Sequence, residues 1–183
     1  MRIFYMVGQC ALLLLLTVWA CSPAVKHEHK TTKELFTEYF KPADDVSGMR
    51  GALDEAMSAA EQLRAQGMVS YGQKQYAQAI AAFNEYLKTN PNNLQVPFYL
   101  AVSHLALNHV DEAEQQFRNL LNSPSSLYYE HSQWYTALIE LNKNHLNESR
   151  MLLEQILSNK NHYYYDMASD LIGQVDYMIE HGQ

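Results

Sequence analysis

Cysteine is nearly absent from this chain. Of 183 residues only Cys10 and Cys21 carry a thiol. Both lie in the N-terminal stretch, so no disulfide framework spans the body, whose stability must come from side-chain packing. Positive charge is scarce as well. Lys and Arg number 13 against 20 Asp and Glu, for a formal net charge of −7. Nucleic-acid binding needs clustered Lys and Arg to displace counterions, and an acidic body is not drawn to anionic headgroups. Patterns that carry catalysis are missing too: no phosphate-cradling Gly loop, no nucleophile elbow and no HExxH. His27-Glu28-His29 brings two imidazoles together without the remaining ligands of a closed metal site. Neither an enzyme, nor a cofactor, nor a bound metal, nor a nucleic-acid partner is expected.

What is present begins with a targeting segment. Met1 and Arg2 precede an almost wholly apolar run from Ile3 to Ala20, which ends Val18-Trp19-Ala20-Cys21 and is followed by Ser22. This resembles a bacterial lipobox, in which a small residue before the Cys lets the signal peptidase seat the chain. The resemblance implies a lipoprotein signal peptide over residues 1–20 and acylation of Cys21. An ordinary secretory signal or a retained anchor are the alternatives. Several acyl chains on one Cys exceed what stable membrane attachment requires. The expected location is therefore a bacterial membrane, reached through the lipid anchor. Ser22 after the Cys is compatible with sorting to the outer membrane.

Residues 21–52 read as a tether that contains one short amphipathic helix. Ser22 to about Thr32 is polar and without periodicity. From Lys33 to Phe40, by contrast, Leu35, Phe36, Tyr39 and Phe40 fall on one helical face, and Pro42 ends the helix. Four large apolar groups on so short a helix call for cover. Either the helix docks on the rest of the molecule, or it binds a partner.

Residues 53–183 carry an internal repeat. Gly67, Ala79 and Phe83 stand at spacings of 12 and 4, and the same spacing returns in Ala101, Ala113 and Phe117, then in Ala137, Ser149 and Leu153. The step between sets is 34 and then 36 residues. Small residues paired on consecutive helices let those helices cross closely, and a repeat of this length is a stacked helix hairpin. Helices are expected over about Leu53–Gly72, Tyr76–Thr89, Leu94–Leu107, Asp111–Asn122, Tyr129–Lys143 and Asn147–Ser158. Lys74, Asn108 and Asn144 take equivalent turn positions where the chain needs positive φ, and Asn suits that conformation. A final helix over about Tyr163–Glu180 has an apolar face and an acidic one, as a solvating cap should. The expected fold is all-α: an antiparallel helix-hairpin solenoid of about three repeats plus a C-terminal capping helix.

The stretch from Gly67 to Pro91 resembles a tetratricopeptide repeat, through Gly67, Tyr76, Ala79, Phe83 and Pro91. Leu100, Ala101, Ala113 and Phe117 carry the second copy. The third departs from the pattern, with Thr136 and Glu140 in large apolar slots and Ser149 in place of Ala. The resemblance implies a concave groove lined by first helices: Met68 and Tyr71, then Phe98, Tyr99 and Val102, then Trp134, Tyr135, Leu138 and Leu141. It further implies a role in binding a protein or peptide, as an adaptor or scaffold in the cell envelope. The same side chains are equally readable as core, covered by the Leu35–Phe40 helix or by neighbouring repeats. Two other readings stay open: an accessory domain of an envelope-polymer enzyme, and a structural lipoprotein with its groove filled intramolecularly.

Overall fold

The computed structural model describes residues 30–44 and 57–182. The expected signal segment, Cys21 and most of the tether lie outside them. Among the described residues all regular structure is helical: α1 (Thr32–Tyr39), α2 (Ala59–Gly72), α3 (Tyr76–Thr89), α4 (Gln95–Ala106), α5 (Val110–Leu120), α6 (Tyr129–Asn142), α7 (Leu146–Leu157) and α8 (Tyr165–His181). Helices α2 and α3, α4 and α5, and α6 and α7 pack as consecutive hairpins, and α8 packs on α7. The hairpins stack through α3 on α4 and α5 on α6, which makes the expected solenoid. No described helix is long and apolar enough to cross a membrane.

The paired small residues sit where the helices touch. Ala79, Ala101, Ala113, Ala137 and Ser149 are all fully buried. At Gly67 the approach is closest: a Cβ there would stand 2.4 Å from Cδ1 and Cε1 of Phe83. Ser149 replaces Ala at no polar cost, because its hydroxyl donates to the Ala137 carbonyl at 3.0 Å. Thr136 and Glu140, the other departures, are buried and satisfied. The Thr136 hydroxyl donates to the Ser132 carbonyl at 2.7 Å. Glu140 is 2.8 Å from His145 Nδ1 and 3.4 Å from Arg118. A buried polar group is tolerated when its bonds are made.

The hairpin turns close as the sequence implies. Lys74, Asn108 and Asn144 have φ of 59°, 60° and 61°. In each turn the following N–H reaches back five residues, as in His109 to the His104 carbonyl at 2.9 Å. Helix α2 starts later than expected. Ser58 caps it, its Oγ accepting from the Glu61 N–H at 3.2 Å, so Met57 stands outside the helix and Leu53 is not among the described residues. Leu53, Met57, Ala60 and Leu63 keep helical spacing across this point, but that spacing does not outweigh a well-placed cap. Pro97 lies in the first turn of α4, where its missing N–H costs nothing. Just before it, Asn93 Oδ1 accepts from the Val96 N–H at 2.8 Å.

Helix α8 continues the period. Ala137 plus 36 is Gly173, and Tyr128 plus 36 is Tyr164. It therefore takes the first-helix position of the repeat, as the capping helix. Ala168, Leu171, Val175 and Met178 are buried, while nothing lies within 4 Å of a Cβ built at Gly173.

Candidate functional site

The first helices α2, α4, α6 and α8 form one layer, and across it lies α1 with the extended residues that follow. Helix α1 is set up locally by a capping box. The Thr31 hydroxyl accepts from the Glu34 N–H, and the Glu34 carboxylate accepts from the Thr31 N–H at 2.7 Å. Those bonds hold the Glu34 carboxyl below its usual range. The helix packs on α6, and Leu35 is only 1 % exposed. Burying one Leu contributes about 1.5–3 kcal/mol. The Tyr39 ring meets the Trp134 indole edge-on at 6.3 Å, and the Phe40 ring meets Tyr135 at 6.0 Å.

Beyond Tyr39 the chain is extended and offers its carbonyls to the layer below. The Tyr135 hydroxyl donates to the Lys41 carbonyl at 2.7 Å, and the Tyr71 hydroxyl donates to the Ala43 carbonyl at 2.5 Å. At the other side of the groove Gln174 of α8 donates to the Tyr39 hydroxyl at 2.9 Å. Burial pushes the Tyr71 and Tyr135 phenols well above their ordinary range. Both therefore remain protonated donors across the physiological pH range. The surface thus holds an amphipathic helix by apolar contact and the following segment by its carbonyls together with Phe40 and Ala43.

The residues expected to line the groove divide into two sets. Tyr71, Trp134 and Tyr135 touch the α1 segment. Phe98 and Tyr99 serve to join repeats. Phe98 packs on Phe117, Tyr128 and His131, and Tyr99 packs on Tyr71 at 5.0 Å. Met68, Val102, Leu138 and Leu141 are buried in the same continuous core. Gln174 and the two backbone acceptors escaped the sequence reading. The repeat register carries a signal for one of them: Met68, Val102, Leu138 and Gln174 occupy one slot at steps of 34, 36 and 36. Following that slot into the last helix places Gln174 on the groove wall.

Outside the groove the chemistry is structural. Arg118 and Lys143 both pair with Glu114, and Lys143 also reaches Asp111 at 3.0 Å, tying α5 to the end of α6. Burial favours protonation of Glu114, but these two cations outweigh it and hold the carboxyl low. His104 Nδ1 and His109 Nδ1 lie 3.4 Å apart across the second turn, where the third turn pairs Glu140 with His145. Among the described residues no group of three or more His, Cys, Asp or Glu is placed to hold a metal ion. An open hollow of about 290 Å³ beside the turn after α3 is lined by Tyr86, Thr89, Asn90, Pro91, Asn92 and Asn93. Its one titratable group is a phenol, so it holds no acid–base pair.

Residues 70–124, from within α2 to the turn after α5, match the tetratricopeptide repeat family. That stretch contains the second half of the first hairpin and the whole of the next. No curated protein matches the chain. Repeats of that family generally mediate protein–protein interaction, so a protein partner is the coarse function the match supports.

Proposed function

We propose that the chain is a non-catalytic adaptor of the bacterial cell envelope, held to the membrane, on our reading the outer membrane, by acylation of Cys21. Its groove binds protein, and α1 is the resident occupant in the free state. The observation that carries this reading is the mode of occupancy. The Trp134 and Tyr135 rings meet Tyr39 and Phe40, while the Tyr135 and Tyr71 hydroxyls take the backbone carbonyls of Lys41 and Ala43. A surface that reads four apolar side chains and two carbonyls accepts other segments of that pattern. A foreign segment must compete with one attached to the same chain, whose effective concentration is on the order of millimolar for a short linker. Access to the groove is therefore gated by α1. The aromatic layer that holds α1 and the segment after it supports an interaction role over an accessory domain of a polymer-degrading enzyme.

A labelled peptide spanning residues 31–44 tests the groove. Fluorescence anisotropy should show it binding a variant lacking residues 31–42 and binding the whole chain at least tenfold more weakly. Trp134→Ala in the shortened variant should abolish binding. Equal binding to all three proteins would remove the groove from the account. Metabolic labelling with a fatty-acid probe tests the anchor, and label undiminished in Cys21→Ala would rule it out.

A further inference from the structure

Two imidazoles are enclosed in the joint between α6 and α8. His131 belongs to the first turn of α6, and His162 to the loop that leads into α8. They are 8 % and 6 % exposed. Between them stands Tyr164, the residue that opens α8. Its hydroxyl is 2.8 Å from His131 Nδ1, and its backbone N–H donates to His162 Nδ1 at 3.1 Å. A backbone N–H can only donate, so His162 Nδ1 is bare. The proton of the neutral ring then sits on Nε2, which lies 3.2 Å from the Gln133 Oε1 and donates to it. Both nitrogens are engaged, and the bond that Nδ1 accepts requires the neutral ring. A second proton has only Nδ1 to go to, where it would face the Tyr164 N–H.

The groups around the pair come from three sides. From α6, Glu130 favours charge on both rings, and its carboxylate also accepts from the Tyr163 N–H at 2.9 Å. From the start of α8, Tyr163 and Tyr164 present phenols, of which Tyr164 is held neutral by burial. From α4, Phe98 packs on His131 at 5.5 Å. Each histidine, once charged, would repel the other. Burial lowers the basicity of both rings despite Glu130.

We propose that this joint is an acid-sensitive latch: protonation of His162, followed by His131, unseats Tyr164 and releases the start of α8 from α6. The consequence reaches the groove. The Tyr164 ring stacks on Trp134 at 5.1 Å and 6°, and Gln174 of α8 holds the Tyr39 hydroxyl of α1. Freeing α8 removes one wall of the groove and one hold on its occupant. The latch stands independently of what the groove binds; only its effect on partner access rests on the function proposed above. The sign follows from linkage. Unfolded histidine titrates near 6.5, and both folded rings titrate lower, so the unfolded or opened state binds more protons. Stability present above about pH 6.5 is lost as pH falls through the lower folded values.

His162→Asn is the discriminating variant. An Asn oxygen two residues before the Tyr164 N–H can accept the same bond and does not titrate. The chain has two Trp, Trp19 and Trp134, so the full chain in a Trp19→Phe background reports on Trp134 alone. Its emission should change between pH 7.5 and 5.0 with a midpoint below 6.5, while far-ultraviolet ellipticity holds. In His162→Asn the amplitude should fall by at least half. A flat emission curve in the parent, an identical curve in the variant, or ellipticity lost in step with emission would each overturn the latch. If the variant does not fold, imidazole nitrogen NMR of the parent decides: the proposal requires His162 as the Nε2–H tautomer at pH 7.5, and an Nδ1–H tautomer refutes it.

Discussion

Gly67 and Gly173 hold the same position in their repeats, yet their surroundings differ in kind. A methyl at Gly67 would strike the buried Phe83 ring, whereas at Gly173 it would meet nothing within 4 Å. Replacing helical Gly by Ala gains about 1 kcal/mol of propensity at either site. Overpacking a tight contact costs about 1–3 kcal/mol. Gly67→Ala should therefore lower the melting temperature and Gly173→Ala should raise it. Thermal melts followed by circular dichroism check both, and a shift of the same sign would break the register. At this scale the sequence was readable where sterics dictate the residue, as at Gly67, Ala79 and Ala113. It was less so where a polar residue had been absorbed. Ser149 and Glu140 look like defects in a pattern of apolar slots, and only the Ala137 carbonyl, His145 and Arg118 explain them. Those partners lie 12, 5 and 22 residues away in sequence.

The elements were the most legible level, because each hairpin is written locally. Asn108 and Asn144 marked the turns, and their positive φ makes the reason physical. Lys74 keeps the same conformation with a less suitable side chain. A left-handed residue costs roughly 1–2 kcal/mol unless it is Gly or Asn. Lys74→Gly should thus stabilise by about 0.5–1 kcal/mol, less than the full relief because Gly loses more backbone freedom on folding. A urea titration would measure it, and a destabilised variant would mean the turn is not under strain. The start of α2 was misread because the Leu53–Leu63 stripe continues across the Ser58 cap. The docking of α1 is not written in the sequence, for a deeper reason. Four apolar residues on one face state that the helix needs cover, and nothing in them states whose surface supplies it.

At the scale of the molecule, the first-helix layer is closed on itself. Three helices supply aromatic residues and α8 supplies Gln174. One segment, Tyr39 to Ala43, completes the surface through contacts that span 28, 94 and 135 residues. Such long-range closure leaves no trace in periodicity, so the sequence does not tell Tyr71, Trp134 and Tyr135, which meet the α1 segment, from the other aromatic residues of the layer. The gating of the groove depends on α1 being docked, whereas the acid latch lies between α6 and the start of α8.

Helix α1 has eight residues, and an isolated helix of that length is marginal in water. Any lasting protection of its amides must come from docking. Hydrogen–deuterium exchange of residues 35–40 in the full chain at neutral pH is therefore the most direct measurement. A docked α1 predicts exchange at least a hundredfold slower than in the free 31–44 peptide, with that protection lost in Leu35→Asp. Exchange at the free-peptide rate in the parent protein would contradict the account and leave the aromatic layer uncovered.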